Sequence, residues 1–196
     1  MTKLLIATNN KNKLKEFQAL LEAFNFELIS LRELNLAGEV EEVESTYLGN
    51  ALLKAKQYAL LSGLPTLSDD SGLEIEALGN LPGIYSARFL GANTDYKIKN
   101  QIILDQLSTF NDRKAKYVCA LALCLPTGET FTAIANLDGQ ISLESLGDLG
   151  FGYDPIFIPY NTKQTFAQMS ETAKNKISHR ALAVTQLHSK LKEISK

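Results

Sequence analysis

A chain of 196 residues is long enough for one well-buried core and short for two full domains. Its 45% hydrophobic and 21% charged residues are typical of a globular protein, and its formal net charge of −2 does not favour a general nucleic-acid or anionic-membrane binder. The apolar stretch after Met1 is too short for a signal peptide, and no apolar run approaches the ~18 residues of a transmembrane helix, so we expect a cytoplasmic protein that does not bind a membrane.

The first half of the chain predicts strands that alternate with helices. Asn9 and Asn10 are both good helix N-caps, and apolar residues recur after them at spacings of three and four. Gly63 suits the end of a helix. In chain order we expect a strand over 3–8, a helix that includes 14–24, a strand over 26–30, an irregular acidic stretch over 31–45, and a helix from about Tyr47 to Leu61.

The second half predicts a hairpin as well as helices. Its predicted elements are a strand over 73–77, a loop over 79–83, a helix from Thr94 to about Leu107, strands over 116–125 and 129–137, a glycine-rich loop over 147–155, a helical stretch from Ser170, and a last helix from Ser178 to about Ile194. This order favours an α/β fold with a mixed sheet. The chain has neither G-x-G-x-x-G nor G-x-x-x-x-G-K-[ST].

The only two cysteines are Cys119 and Cys124, in the apolar run 117–125. An offset of five places them on opposite faces of a strand, which fits neither a disulfide nor a zinc site. We expect them to be small buried hydrophobic residues.

Two adjacent carboxylates stand out in the segment Ser68-Asp69-Asp70-Ser71-Gly72. Neighbouring side chains of a strand point to opposite faces, so both acids serve one site only if the strand has turned there, as Ser71 and Gly72 predict. Two such charges repel unless a cation lies beside them, and carboxylate oxygens suit Mg²⁺. The alternative is a solvated turn, since Asp, Ser and Gly all favour turns.

The segment Thr8-Asn9-Asn10-Lys11-Asn12-Lys13 joins a strand end to a helix start. Free backbone N–H groups and the positive end of the helix dipole favour an anion there, and Lys13 adds a full charge. The segment therefore has the chemistry of a phosphate site, and a capped surface helix is the alternative.

Acidic and basic residues are unevenly distributed along the chain. Residues 27–76 carry ten acids and three bases, and residues 160–196 carry seven bases and two acids. The acidic run 39–44 is the natural source of a further metal ligand, and Lys54 on the next helix is placed to face the same site. A solvated acidic loop is the alternative.

Two later segments combine aromatic and charged residues. Phe151-Gly152-Tyr153-Asp154-Pro155 offers an aromatic face for stacking a base and a carboxylate for reading its edge, although buried aromatic anchors explain it equally. Arg180 follows Ser178 and His179 at a predicted helix start, where the dipole disfavours a cation. A ligand would explain that placement, whereas His188 is expected to be structural.

Six segments in the same order resemble the inosine triphosphate pyrophosphatases, also called the noncanonical purine nucleoside triphosphatase family. They span nearly the whole chain, which makes the resemblance specific. The segments are Thr8-Asn9-Asn10-Lys11-Asn12-Lys13, Asn50-Ala51-Leu52-Leu53-Lys54-Ala55, Ser68-Asp69-Asp70-Ser71-Gly72-Leu73, residues 82–88, residues 150–157, and Ile177-Ser178-His179-Arg180.

The resemblance implies one two-lobed domain over residues 1–196, with an elongated mixed sheet and helices flanking a nucleotide-binding cleft, usually as a homodimer. It implies hydrolysis of ITP, dITP and XTP to the monophosphate and pyrophosphate with Mg²⁺. Asp70 would be the proton acceptor and, with Glu42, a metal ligand. The implied substrate-binding residues are Thr8, Asn9, Asn10, Lys11, Asn12, Lys13, Lys54, Ser71, Phe151, Gly152, Tyr153, Asp154, Lys174, His179 and Arg180.

The chain departs from the family pattern at two places. Asn9 stands where many members have glycine, and Gly49 stands where bacterial members commonly carry glutamate. Gly49 removes a carboxylate near the implied metal site and places a helix-weakening residue in the helix predicted from about Tyr47. A pyrophosphatase of modified pyrimidine nucleotides, like the Maf-like proteins, and a nucleotide sensor without turnover are the alternative functions.

Overall fold

The computed structural model describes residues 1–36, 38 and 40–196 of the chain. Glu39, part of the acidic run, lies outside the described residues. Within them, seven strands form a mixed sheet in the order β2-β1-β3-β5-β6-β7, with β4 paired to β3. β1 runs parallel to β2 and β3, whereas β4 and β7 are antiparallel to their neighbours. The strands are β1 Thr2–Ile6, β2 Phe26–Ser30, β3 Thr66–Ile75, β4 Leu81–Pro82, β5 Lys114–Cys124, β6 Thr130–Ile141 and β7 Phe157–Pro159.

The described residues also form six α-helices and five short 3-10 helices. The α-helices are α1 Lys11–Leu20, α2 Tyr47–Ser62, α3 Tyr96–Gln106, α4 Glu171–Ile177, α5 His179–Gln186 and α6 His188–Ile194. The 3-10 helices are Glu76–Leu78, Gly83–Tyr85, Leu107–Thr109, Asp154–Ile156 and Phe166–Gln168. The predicted α/β class with a mixed sheet is confirmed. No helix in the described residues has the length and hydropathy needed to cross a bilayer.

The chain divides into two compact units. Unit 1 comprises residues 1–70, 119–135 and 180–196, and unit 2 comprises residues 71–118 and 136–179. The polypeptide passes from one unit to the other four times, inside strands β3, β5 and β6 and at the start of helix α5.

The core of unit 1 follows the predicted periodicities. Phe17 of α1 and Leu21, the residue that follows this helix, pack in one cluster with Leu4 and Leu67 of the sheet and with residues of α5 and α6. A separate cluster of small residues joins α2 to β5. The two cysteines are buried, without a disulfide, in these two different clusters, as their spacing predicts.

Helix α2 begins and ends where the sequence predicts, whereas α1 ends at Leu20, earlier than the predicted stretch over 14–24. The Asn10 side chain accepts hydrogen bonds from the backbone N–H groups of Asn12 and Lys13, and Thr46 caps α2. Gly63 ends α2 with φ 66°, a left-handed conformation that glycine adopts without steric cost.

The predicted turn at Asp69 and Asp70 is wrong. β3 continues through both residues and ends only at Ile75. Sheet pairing overrides the local turn preference of Ser71 and Gly72, because β4 pairs with the far end of β3. The two carboxylates therefore point to opposite faces of the strand.

Two helix boundaries also differ from the prediction. α3 is capped by Asp95, whose carboxylate accepts from Lys97 N–H at 2.7 Å, rather than by Thr94. The last helix is two helices, because the N–H of Leu187 bonds to the carbonyl of Val184 three residues back and tightens the chain between α5 and α6. Ser178 ends α4 instead of starting one long helix.

Candidate functional site

The alternation of β3 directs neighbouring side chains to different helices of unit 1. The hydroxyl of Ser68 donates to the carbonyl of Ala51 on α2, and Asp70 accepts from Asn50 on the same helix at 3.1 Å. Leu67, on the other face, packs in the core with α1. Asp70 thus faces α2, and Asp69 faces away from it.

The Asp70 cluster consists of Glu42, Asn50, Lys54 and Asp70. The Nζ of Lys54 donates to Glu42 Oε1 at 2.5 Å and to the backbone carbonyl of Asp69 at 2.8 Å. The side chain of Lys54 is 13% exposed. The cluster therefore gathers oxygen atoms of an Asp-rich strand and of the acidic loop around one ammonium group.

Burial and neighbouring charges oppose each other in this cluster. Burial raises the pKa of the Asp70 carboxyl, Lys54 and Lys13 lower it, and Glu42 raises it; the net pKa lies above the ordinary value. Burial lowers the pKa of Lys54. The neighbouring acids Asp70, Glu42 and Asp69 raise it by more than burial lowers it, so the net pKa is raised and Lys54 stays an ammonium ion. Asp70 is accordingly a more basic carboxylate than an exposed aspartate.

The Asp69 network consists of Lys13, Glu16, Asp69 and Arg180. The Asp69 carboxylate lies 3.0 Å from Lys13 Nζ and 3.0 Å from Arg180, whose other terminal nitrogen donates to Glu16. Both Asp69 and Arg180 are almost fully buried. Burial alone would raise the pKa of Asp69, but Lys13 and Arg180 hold it well below the ordinary value.

Arg180, which the family resemblance implies as a substrate-binding residue, is paired with carboxylates in this structure. Both terminal nitrogens of its guanidinium bond carboxylates within unit 1, and its face lies 5.5 Å from the ring centroid of Phe17. The two carboxylates explain why a cation is stable at this helix start without a ligand. Arg180 holds α1 and β3 together through Glu16 and Asp69.

The segment from Thr8 to Lys13 is only partly as predicted. It joins β1 to α1, and four of its residues are exposed. However, three of its backbone N–H groups already have side-chain acceptors: Asn10 N–H bonds Thr8 Oγ1, and those of Asn12 and Lys13 bond Asn10 Oδ1. The exposed residues are Asn9, Asn10, Lys11 and Asn12. The Lys13 ammonium, aimed by Asp69, is therefore the best-defined cation of the segment.

Unit 2 contains a second group of predicted residues, the Asp154 cluster, which consists of Tyr117, Phe151, Asp154, Lys174 and His179. The buried Asp154 carboxylate accepts from Lys174 Nζ at 2.5 Å and from the backbone N–H of Phe151 at 2.8 Å. Lys174 lies 4.7 Å from the ring centroid of Phe151. The lysine, the carboxylate and the aromatic ring thus form one rigid group.

Tyr117 on β5 supports this cluster from the sheet. Its ring stacks on His179 with centroids 4.4 Å apart and planes 7° from parallel, and its hydroxyl lies 3.4 Å from Asp154. His179 is 4% exposed. Tyr117 therefore fixes two of the predicted nucleotide-binding residues at once.

The glycine-rich loop has a steric requirement at Gly150. This residue has φ 73°, and a Cβ atom there would lie 2.2 Å from Asp154 Oδ2. Gly152, with φ 69°, accepts a hydrogen bond from Asn100 through its carbonyl at 3.1 Å. Tyr153 is a buried anchor, because its hydroxyl donates to the Ser86 carbonyl at 2.8 Å.

Two further residues named in the sequence analysis, Ser71 and His188, belong to neither cluster. Ser71 follows Asp70 in β3 as the half-buried first residue of unit 2. His188 packs against Phe24 with ring centroids 5.3 Å apart, as a structural residue would. Lys54 belongs to the Asp70 cluster described above.

The absence of a side chain at residue 49 has a local cause. A Cβ atom on Gly49 would lie 2.8 Å from Glu44 Cβ and 3.0 Å from Thr46 Oγ1. Glu44 and the cap of α2 thus occupy the space that a larger residue would need, so the departure from the family pattern is matched by its surroundings.

Four residues of these groups escape the sequence reasoning: Glu16, Asn50, Asp69 as an ion-pair residue, and Tyr117. Glu16 follows Lys13 by three positions and so shares its helix face, which is a readable signal. Tyr117 stands in a strand of small apolar residues, where a buried hydroxyl needs an acceptor. The pairing of Arg180 with Asp69 has no such signal, because 111 positions separate them.

The donor chemistry of unit 1 suits a divalent cation. Glu42 and Asp70 offer carboxylate oxygens, and the described residues contain no group of three or more His, Cys, Asp or Glu positioned to hold a metal. Two carboxylates suffice for Mg²⁺, which completes its shell with water and substrate phosphates. The Asp70 cluster already surrounds a cation, Lys54, with oxygen atoms, so the residues fit the ion.

Lys13 in the first turn of α1 forms an ion pair with Asp69 of β3, and the fold places the chain in the class of mixed α/β proteins. Within it, the chain belongs to the Ham1 family, whose sequence profile matches residues 4–190. The predicted family membership is thereby confirmed.

Named relatives match over nearly the full chain. The dITP/XTP pyrophosphatase of Exiguobacterium sibiricum is 44% identical over 191 residues, covering 96% of each chain, and that of Bacillus subtilis is 41% identical over 195 residues, covering 98% of each. The structure of the Ham1 protein of Staphylococcus aureus matches with a TM-score of 0.87 at 36% identity, covering 98% of this chain and 99% of that one. The Coxiella burnetii HAM1 protein matches with a TM-score of 0.88 at 36% identity, over 98% of this chain and all of its own.

Proposed function

We propose that this chain is a nucleoside triphosphate pyrophosphatase that hydrolyses ITP, dITP and XTP to the monophosphate and pyrophosphate, with Mg²⁺. The full-length similarity to proteins named dITP/XTP pyrophosphatase supports the reaction and the substrate class. The observation that carries the chemistry is Asp70, a buried carboxylate of raised pKa oriented by Asn50. Its raised pKa makes it a better proton acceptor than an exposed aspartate, which is the direction that proton abstraction from water requires.

The proposed reaction requires little covalent chemistry from the protein. Water attacks the α-phosphorus in line, its proton passes to Asp70, and the bond from that phosphorus to the bridging oxygen breaks so that pyrophosphate leaves. Glu42 and Asp70 would hold Mg²⁺, which when bound neutralises charge on the triphosphate and the leaving pyrophosphate. Lys13, oriented by Asp69, adds a second positive charge for the phosphates.

Unit 2 offers the groups for a purine. The ring of Phe151 provides a stacking face, and Lys174 is an ammonium with three N–H donors, one of which bonds Asp154. Hypoxanthine and xanthine present a carbonyl acceptor at position 6, where adenine presents an amino donor. A buried donor left unmatched by adenine costs about 1–3 kcal/mol, which gives the proposed discrimination a physical basis.

The experiment that tests this function is pyrophosphate release from ITP, XTP, dITP, ATP, GTP and a modified pyrimidine triphosphate, each with and without Mg²⁺. Fast release from the first three, only with Mg²⁺, is the expected result. Orthophosphate as the first product excludes the reaction, and preference for the pyrimidine favours the Maf-like alternative. ITP binding without any release would establish a sensor.

We also propose that the protein is a homodimer of single-domain subunits located in the cytoplasm. The family resemblance implies a homodimer, and Leu60 and Leu61 of α2 are strongly exposed apolar side chains that suit an interface. We propose that residues 1–196 form one domain, which is supported by the four elements, β3, β5, β6 and α5, that contribute residues to both units. A cytoplasmic location would suit substrates of the nucleotide pool. Light scattering measures the dimer, and one cooperative unfolding transition is expected for the single domain.

A further inference from the structure

Lys54 occupies an unusual position for a lysine. Its side chain is 13% exposed, and its Nζ has two oxygen acceptors, Glu42 Oε1 at 2.5 Å and the Asp69 carbonyl at 2.8 Å. Asp70 and Asp69 attract it as well. The ammonium is thus surrounded by the oxygen atoms that a hard cation would select.

Lys54 and Lys190, another lysine of unit 1, differ in the number of acidic groups that surround the ammonium. Lys190 has a similarly buried side chain, 18% exposed, and lies 2.9 Å from Glu193. That contact joins one lysine to one exposed carboxylate within a helix. Lys54 instead joins the acidic loop to β3, so its charge balances a group of acids rather than a single partner.

We infer that Lys54 is an internal cation, which holds the Asp70 cluster together in the metal-free protein and must leave Glu42 when a divalent ion binds. This inference rests on the proposed function only in taking Glu42 and Asp70 as metal ligands. Because Lys54 already bonds the Glu42 carboxylate through Oε1, the ammonium and the metal compete for that carboxylate. Positive charge beside a divalent ion also opposes its binding.

The competition has a measurable sign. Replacing Lys54 by methionine keeps the length of the side chain and removes the charge, so the affinity for Mn²⁺ should increase by about tenfold or more. If Lys54 instead served only to orient Glu42, its removal would weaken Mn²⁺ binding. The two roles therefore predict opposite changes.

The experiment measures Mn²⁺ binding to the full chain without nucleotide, by electron paramagnetic resonance and calorimetry. Lys54→Met should bind more tightly than the wild type, and the control Lys190→Met should bind as the wild type does. Unchanged or weaker binding by Lys54→Met overturns the inference. Glu42→Gln separates this inference from the proposed function. If the variant still binds Mn²⁺ as the wild type does, Glu42 is not a metal ligand and both are wrong on this point. If the variant loses Mn²⁺ binding, Glu42 is a ligand, and the direction of the change in Lys54→Met tests the role of Lys54.

A measurement on the wild type covers the case in which Lys54→Met does not fold. Mg²⁺ should increase the rate at which an acylating reagent modifies Lys54, measured by mass spectrometry, relative to the rate at Lys190. An unchanged ratio overturns the inference. If neither the wild type nor a folded Lys54→Met binds Mn²⁺, both the metal of the proposed function and the role of Lys54 are wrong.

Discussion

Asp69 and Asp70 are adjacent and have opposite electrostatic environments. Two cations contact Asp69 directly and lower its pKa, whereas burial and Glu42 raise that of Asp70. Asp69 is therefore a permanent anion that orients Lys13. Asp70 is the one with affinity for a proton, and the two residues are not interchangeable.

Replacing Asp70 by asparagine should remove the base and preserve the shape of the site. We expect turnover of ITP to fall by about 10²–10⁴-fold, the usual contribution of a positioned base. The Lys13 ammonium stays in place, so ITP binding should change little. Pyrophosphate release and equilibrium binding measure the two effects, and lost binding with retained turnover would contradict the assigned role.

Arg180 should matter for stability more than its place in the sequence indicates. Arg180→Met leaves Glu16 and Asp69 buried without their guanidinium, and breaking a buried pair typically costs about 3–5 kcal/mol. Urea unfolding measures the loss. Lys190→Met is the control, since a pair with an exposed carboxylate such as Glu193 contributes about 1 kcal/mol or less, and an equal effect of both variants would refute the argument.

At the scale of elements, the start of α2 depends on a glycine. Gly49→Ala gains about 1 kcal/mol of helix propensity, but the new Cβ collides with Glu44, at a cost of typically 1–3 kcal/mol. We expect a net loss of about 1 kcal/mol in the free energy of unfolding. In a Glu44→Gly background the collision with Glu44 disappears and only the contact with Thr46 Oγ1 remains, so the same substitution should cost less there; a loss of equal size would disprove the steric account.

Elements set by local signals were predictable, and those set by distant pairing were not. The caps of α1 and α2 follow from Asn10, Thr46 and Gly63, whose preferences act within one turn. The course of β3 through Asp69 and Asp70 follows from its pairing with β1 and β4, which local sequence does not reveal. The same holds for the candidate site. The sequence indicates that the two aspartates belong to a charged site, but only the course of β3 shows which helix each carboxylate faces.

At the scale of the whole molecule, Asp69 links stability to pH. Its folded pKa lies below the unfolded value, so its contribution is present above about pH 4 and is lost as the pH falls further. Wild-type stability should therefore decline steeply in acid. Asp69→Asn should be less stable at pH 7 and show a shallower decline in urea unfolding between pH 5 and pH 3; parallel curves would rule out this source of acid sensitivity.

Asp70 contributes with the opposite sign. Its folded pKa is raised, so its contribution is present below the unfolded pKa and is lost as the pH rises through the folded pKa. Asp70→Asn should thus gain stability over the wild type at pH 7 and gain less at pH 4. Calorimetric melting temperatures of the metal-free proteins measure this difference, and an advantage that grew in acid would contradict it.

The uninterrupted course of β3 restricts how this chain can change in evolution. A strand alternates its side chains strictly, so inserting or deleting one residue before Asp69 within β3 would exchange the faces of Asp69 and Asp70. The buried anion would then face α2, and the proton acceptor would face Arg180. We therefore expect β3 to diverge by substitution rather than by insertion or deletion of a single residue.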